Sequence, residues 1–238
     1  MLDSATSTWL WLGFAGMSVG TLAILTYWSK FKPEHRYHVI LALMVTTIAG
    51  AAYYAMVSGQ GVIMFNGKTI FFARYLDWVL TTPLLLLSLI TVALPEAKDT
   101  NNSRQRMGLI GAILFADVSM IITGAIANFS ANQQDVVVWY IASCLWFGVI
   151  VYLMFVEVRA LAQSQSKDLN KVYISLLLLL SSLWFFYPIV WLLGNSGFAV
   201  VDLTTEVAVY AVLDVTAKAV FGTLALSKLL KVKGSNSR

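Results

Sequence analysis

A single cysteine in 238 residues excludes an intrachain disulfide and leaves no thiolate cluster to hold a metal. Cys144 falls inside an apolar segment and reads as small buried filler. Charge is scarce too. Only 12% of residues are charged while 59% are hydrophobic, and mean hydropathy is +0.77, more than a soluble domain of this length needs. That balance points to a polytopic membrane protein. The net charge of +4 calls for no nucleic-acid partner, because its distribution across a membrane accounts for it. The head, Met1 to Ser7, has no basic region before the first apolar run, which argues against a cleaved signal peptide. No long linker and no internal repeat divide the chain, so residues 1–238 read as a single domain.

Seven apolar runs, near 8–29, 37–58, 74–94, 107–127, 136–158, 172–193 and 203–228, each supply the roughly 20 residues a bilayer-spanning helix needs. The expected fold class is an all-α membrane protein with seven transmembrane helices in a lipid bilayer. Alternate connections and the C-terminal tail hold Lys30, Lys32, Arg36, Lys98, Arg104, Arg106, Arg159, Lys167, Lys171, Lys228, Lys231, Lys233 and Arg238. The other side has Lys68, with Arg74 at a helix start. Basic connections stay cytoplasmic, so the N-terminus is expected outside the cell membrane and the C-terminus inside. His35 and His38, at the cytoplasmic end of the second run, read as interfacial. Between runs two and three, Asn66-Gly67 separates two β-prone stretches, the strongest short hairpin signal. A short extracellular β-hairpin lying over the outer mouth is expected there.

Against this apolar background the stretch Leu213-Asp-Val-Thr-Ala-Lys218 stands out. Asp214 and Lys218 are four residues apart and share one helix face. Ionisable groups at bilayer depth are costly and mark function by default. A desolvated lysine that keeps its lone pair is the kind that forms Schiff bases. The alternative is an Asp–Lys pair that neutralises itself and locks helix packing. In the third run Arg74, Asp77 and Thr81 follow at spacings of three and four, again on one face. Thr81 is placed to hydrogen-bond Asp77, and Arg74 to balance the charge of Asp77 and Asp214. A capped helix, kinked at Pro83 and carrying a salt bridge at its mouth, is the alternative there.

Three stretches now combine: Ala73-Arg-Tyr-Leu-Asp-Trp-Val-Leu-Thr-Thr-Pro-Leu-Leu-Leu-Leu87, Leu183-Trp-Phe-Phe-Tyr-Pro-Ile-Val-Trp-Leu-Leu-Gly194 and Leu213 to Lys218. With them the chain resembles, over nearly its whole length, the microbial (type I) rhodopsins, retinal-binding seven-helix proteins that include bacteriorhodopsin. The resemblance implies that Lys218 carries all-trans retinal as a protonated Schiff base. It makes Asp77 the primary counterion and proton acceptor, and Asp214 the second counterion. Trp78, Trp184, Tyr187 and Trp191 match the aromatic box of the retinal pocket; without the lysine, a core aromatic stripe would be the better reading. Tyr53, Thr82, Leu85, Met120, Gly124, Ser143 and Phe147 match further pocket positions. Asp117 matches an aspartate near the ring end, a hydrogen-bonded core acid rather than a proton carrier. Tyr140 fills a position that is glycine in carotenoid-binding relatives, so no antenna carotenoid is expected, and no metal is implied.

The triad at the acceptor, threonine and donor positions reads Asp77, Thr81 and Ser88. Chloride pumps of the family replace the acceptor Asp and sodium pumps carry Asn-Asp-Gln, so both are disfavoured. Ser88 lies about 16 Å beyond Asp77 at helical rise, where outward proton pumps commonly carry a carboxylate. Serine cannot titrate in that range. The returning proton is then expected from cytoplasmic water or from a residue elsewhere, more slowly as pH rises. Glu206, about 18 Å outward of Lys218, matches one glutamate of a proton-release pair whose other member is replaced by Ser196. A solvated acid near a helix N-terminus is an equal reading of Glu206. Inward-pumping relatives can share the triad but typically lack the last-helix aspartate, which Asp214 supplies here. The expected function is therefore a light-driven outward proton pump, self-associating as a homo-oligomer, and not an enzyme, since it moves protons rather than remaking bonds of a substrate. A sensory photoreceptor signalling through a separate transducer protein is the alternative, and an inward pump comes third.

Overall fold

In the computed structural model, which describes residues 2–94, 100–163 and 167–235, seven helices are long and apolar enough to cross a bilayer. They are α1 (Ser4–Leu25), α2 (Tyr37–Val57), α3 (Phe72–Ala93), α4 (Thr100–Asn128), α5 (Gln133–Gln163), α6 (Lys167–Leu193) and α7. Helix α7 runs without a break through Leu203–Val215, a π turn at Thr216–Val220 and Phe221–Ser235. Of the charges counted above, Lys98, Arg238 and the side chain of Lys233 lie outside the described residues.

Helix starts follow caps rather than the onset of apolarity. Asp3 accepts from the Thr6 amide at 2.6 Å, so α1 begins at Ser4 and not near residue 8. Asn132 accepts from Gln134 N at 2.9 Å and starts α5, while Asp202 accepts from Thr205 N at 3.0 Å and starts α7. Each cap satisfies one of the amides that a helix start leaves without an intrahelical partner.

The usual inside–outside pattern is inverted, as a lipid-facing surface requires. Val19, Leu22, Leu145 and Phe185 are each more than half exposed, whereas Asp77, Asp214 and Lys218 are at most 2% exposed. Where α1 meets α7 the small residues matter. Gly20 lies so close to Ala219 that no Cβ would fit between them, and Gly13 lies equally close to the Tyr53 ring. This is the small-residue packing that lets membrane helices approach.

Between α2 and α3, β1 (Ile63–Phe65) pairs antiparallel with β2 (Lys68–Ile70) in the register Phe65 to Lys68. Asn66 and Gly67 both take positive φ, 49° and 73°, the two-residue turn that matches strand twist. Thr69 O accepts from Asn195 Nδ2 at 3.2 Å and Lys68 reaches Ser196 O at 3.4 Å, so the hairpin is tied to the α6–α7 connection. The bundle thus has a hairpin end and a tail end.

Candidate functional site

Lys218 sits on the π turn of α7, where the widened backbone marks many functional sites. Its Nζ pairs with the Asp77 carboxylate of α3 and lies 3.0 Å from Asp214 Oδ1. Both carboxylates are otherwise engaged. Thr81 Oγ1 donates to Asp77 Oδ1 at 3.1 Å and also to the Asp77 carbonyl at 2.8 Å. Asp214 accepts from Tyr53 at 2.8 Å on one oxygen and from Tyr187 at 3.0 Å on the other. The structure therefore brings together α2, α3, α6 and α7 around one amine. A buried cation held this way is compensated by paired charge and hydrogen bonds.

From Lys218 a cavity extends between α3, α4, α5 and α6. Its walls are periodic. Tyr140, Ser143, Cys144 and Phe147 line it from α5, and Trp184, Tyr187, Pro188 and Trp191 from α6, both at i, i+3, i+4 and i+7. Trp78, Thr82 and Leu85 form the α3 wall, with Met120, Ile121 and Gly124 opposite on α4. A Cβ on Gly124 would stand 3.3 Å from Ser143 Oγ, which already donates to Met120 O at 2.8 Å. Trp191 donates to Tyr75 OH at 2.8 Å and stacks on Tyr140 at 5.0 Å.

These residues fit retinal. A mostly apolar cavity with one amine in its wall suits a polyene with a ring and a single carbonyl carbon able to condense with that amine. Lys218 would hold it covalently, and the tryptophans and Tyr187 would hold its chain.

Two expected pocket residues stand behind the wall rather than in it. Asp117 accepts from Thr82 at 2.8 Å and Tyr53 reaches Asp214, so each acts on the cavity through a lining neighbour. Tyr75, Ile121, Tyr140, Cys144, Pro188 and Ala217 line the cavity but were not among the expected pocket residues. The i, i+3, i+4, i+7 spacing on α5 and α6 was the signal for Cys144 and Pro188. Cys144 is half-buried and faces the cavity, which corrects its reading as buried filler.

Three further expectations change. Arg74 takes Glu206 as its direct partner at 3.6 Å, not Asp77 or Asp214, and its guanidinium lies over the rings of Tyr210 and Phe71. Glu206 is correspondingly not a solvated acid. It is 4% exposed and accepts from Asn195 N at 2.7 Å. With Thr69, Asn128, Ser196 and Tyr210, the Arg74–Glu206 pair lines a small polar cavity at the hairpin end. His38 is buried rather than interfacial, because it is turned into the α2–α3 contact; His35, one turn earlier, is half-buried.

The family model described as Bacteriorhodopsin-like protein matches residues 4–232. A bacteriorhodopsin of Haloterrigena sp. (strain arg-4) is 37% identical over 229 residues, covering 92% of this chain and 86% of that protein. Among solved structures, thermophilic rhodopsin from Rubrobacter xylanophilus superposes with a TM-score of 0.89 at 36% identity, covering 94% and 95% of the two chains. The light-driven proton pump rhodopsin of Coccomyxa subellipsoidea gives 0.86 at 31% identity, covering 95% and 98%.

Proposed function

We propose that this chain, which belongs to the bacteriorhodopsin-like family, is a light-driven outward proton pump working through all-trans retinal bound to Lys218. The observation that carries the reading is the asymmetry about the Lys218 amine. On the hairpin side lie Asp214, one helical turn away on α7, then Arg74 and Glu206; Asp77 reaches the amine from near the hairpin end of α3. On the tail side Leu85, Leu86, Leu89, Trp184 and Phe221 belong to one apolar core. A proton leaving Lys218 therefore finds carboxylates in contact with the amine, and its next charged positions, toward the hairpin side.

Bound retinal would supply the light absorption and the isomerisation that turns the nitrogen-bound proton. Asp77 accepts that proton, since it already faces Nζ and keeps lone-pair room that Asp214 has given to two phenols. Thr81 holds the Asp77 carboxyl in line. Arg74 and Glu206 then offer the next charged positions toward the hairpin end, which the basic tail-side connections make the outside. Ser88 supplies no proton from the tail side, so recycling waits on another source.

The test is the light-induced pH change of an unbuffered suspension of cells making the protein with added retinal. Acidification that a protonophore abolishes is the expected result. Alkalinisation abolished by the protonophore would mean inward pumping, and alkalinisation enhanced by it would mean transport of another ion. A pigmented, pH-silent protein would favour the sensory reading.

A further inference from the structure

We propose that His38 is the proton-relay residue of the tail side, passing protons inward in place of the carboxylate that position 88 lacks. The inference rests on the pumping reading above. Among the described residues, the buried side chains that carry a carboxyl or an imidazole are His38, Asp77, Asp117, Glu206 and Asp214. Two of the carboxyls meet Lys218, Asp117 is held by Thr82, and Glu206 lies in the first turn of α7 at the hairpin end. His38 alone belongs to the tail-side half: it is the second residue of α2, which starts at that end, and it is 2% exposed.

Its ring is built into the path rather than parked beside it. His38 Nδ1 lies 3.4 Å from Thr91 Oγ1, and the same hydroxyl donates to Ser88 O at 2.9 Å. A threonine hydroxyl has one proton. With that proton directed at the Ser88 carbonyl, the relay takes the Nδ1–H tautomer, with His38 donating to the Thr91 oxygen. Tyr37 at 4.1 Å and Phe31 at 6.3 Å between ring centroids hold the imidazole in place. Val39 beside it and Ala42 one turn further along α2 belong to the same apolar core as Leu85, Leu89 and Phe221.

Histidine is the side chain suited to this duty, since its two nitrogens can take a proton at one and release one at the other near neutral pH. Nε2 takes up a proton from the tail-side surface, and Nδ1 releases one toward Thr91 and Ser88. From there it crosses to Lys218 when the core admits water during the cycle. One proton enters and one leaves, with no change of oxidation state.

The experiment follows the recovery of the Lys218-bound proton after a flash in the retinal-loaded wild type and in His35→Gln, His38→Gln and His38→Gln/Ser88→Asp. His38→Gln is expected to slow recovery about tenfold or more, leaving the dark absorption and the forward transfer to Asp77 unchanged. His35→Gln is expected to behave as wild type, and the double variant to regain fast recovery from its new carboxyl. Independently of activity, ¹⁵N-histidine NMR in the dark, assigned with His38→Gln, is expected to show a protonated Nδ1. Wild-type recovery in His38→Gln overturns the relay, as does a double variant as slow as the single one, which would mark a packing role. A bare Nδ1 in the dark also overturns it. If wild type acidifies the medium while His38→Gln recovers normally, only the relay fails; if wild type does not acidify, the pumping reading fails with it.

Discussion

The phenol of Tyr53 on α2 donates to Asp214 Oδ2 at 2.8 Å, which joins the second helix to the last beside Lys218. Tyr187 of α6 completes the arrangement from the opposite oxygen at 3.0 Å, the oxygen that also faces Lys218. Asp214 is thereby fixed at both oxygens, which is why the proposed mechanism gives the proton to Asp77. Tyr53→Phe and Tyr187→Phe each remove one hydrogen bond to a charged group without leaving a buried donor. Each should destabilise the protein by about 1.5–3 kcal/mol, read as a lower temperature of pigment bleaching. The double variant should depart from additivity, because both phenols serve one carboxylate.

Gly13 offers a second test of the same junction. Alanine there would add helix propensity worth up to about 1 kcal/mol, but its Cβ falls on the Tyr53 ring. Overpacking of this kind costs about 1–3 kcal/mol, so the net effect is loss of stability with disturbance of the Asp214 bond. Gly108→Ala, which meets nothing within 4 Å, is the control and should leave the absorption unchanged. Thermal bleaching and the dark spectrum of both variants decide it.

Ser88→Asp places a titratable proton donor where serine has none. Recovery of the Lys218 proton should become faster, and its slowing at alkaline pH should be delayed. Flash kinetics across the pH range read this directly; a variant that recovers no faster than wild type would locate the slow step elsewhere.

At the helix caps, Asp3 and Asp202 are both held below the usual carboxyl value of 3.8, Asp3 chiefly by the Thr6 amide and Asp202 chiefly by the Thr205 hydroxyl. A depressed folded-state pKa stabilises above the unfolded value and is lost as pH falls through the folded one. Asp202→Asn should therefore lower stability at neutral pH, with the difference from wild type closing below about pH 3.8. Thermal unfolding measured at several pH values checks the sign.

Much of the molecule was legible in the sequence because membranes simplify the code. Apolar length marks each span, Asn66-Gly67 marks the hairpin, and the few intramembrane charges announce themselves by their cost. Spacing on α7 paired Asp214 with Lys218, and the resemblance to the microbial rhodopsins added Asp77 of α3 to them. What spacing could not supply was partnership across helices. Arg74 is equally placed along α3 to serve Asp77 or Glu206, and only the packing of α3 on α7 selects Glu206. His38 read as interfacial because it starts an apolar run, yet its side chain turns inward to Thr91. Cys144 read as filler because one cysteine carries no pattern, although the stripe from Tyr140 to Phe147 placed it on the cavity.

The most direct test of the account is time-resolved infrared difference spectroscopy of the retinal-loaded protein after a flash. The account predicts a protonated-carboxyl band that rises as Lys218 loses its proton, shifts in Asp77→Glu and is absent from Asp77→Asn. A band that rises undisturbed in Asp77→Asn would show that the proton goes to another acceptor and would contradict the assignment.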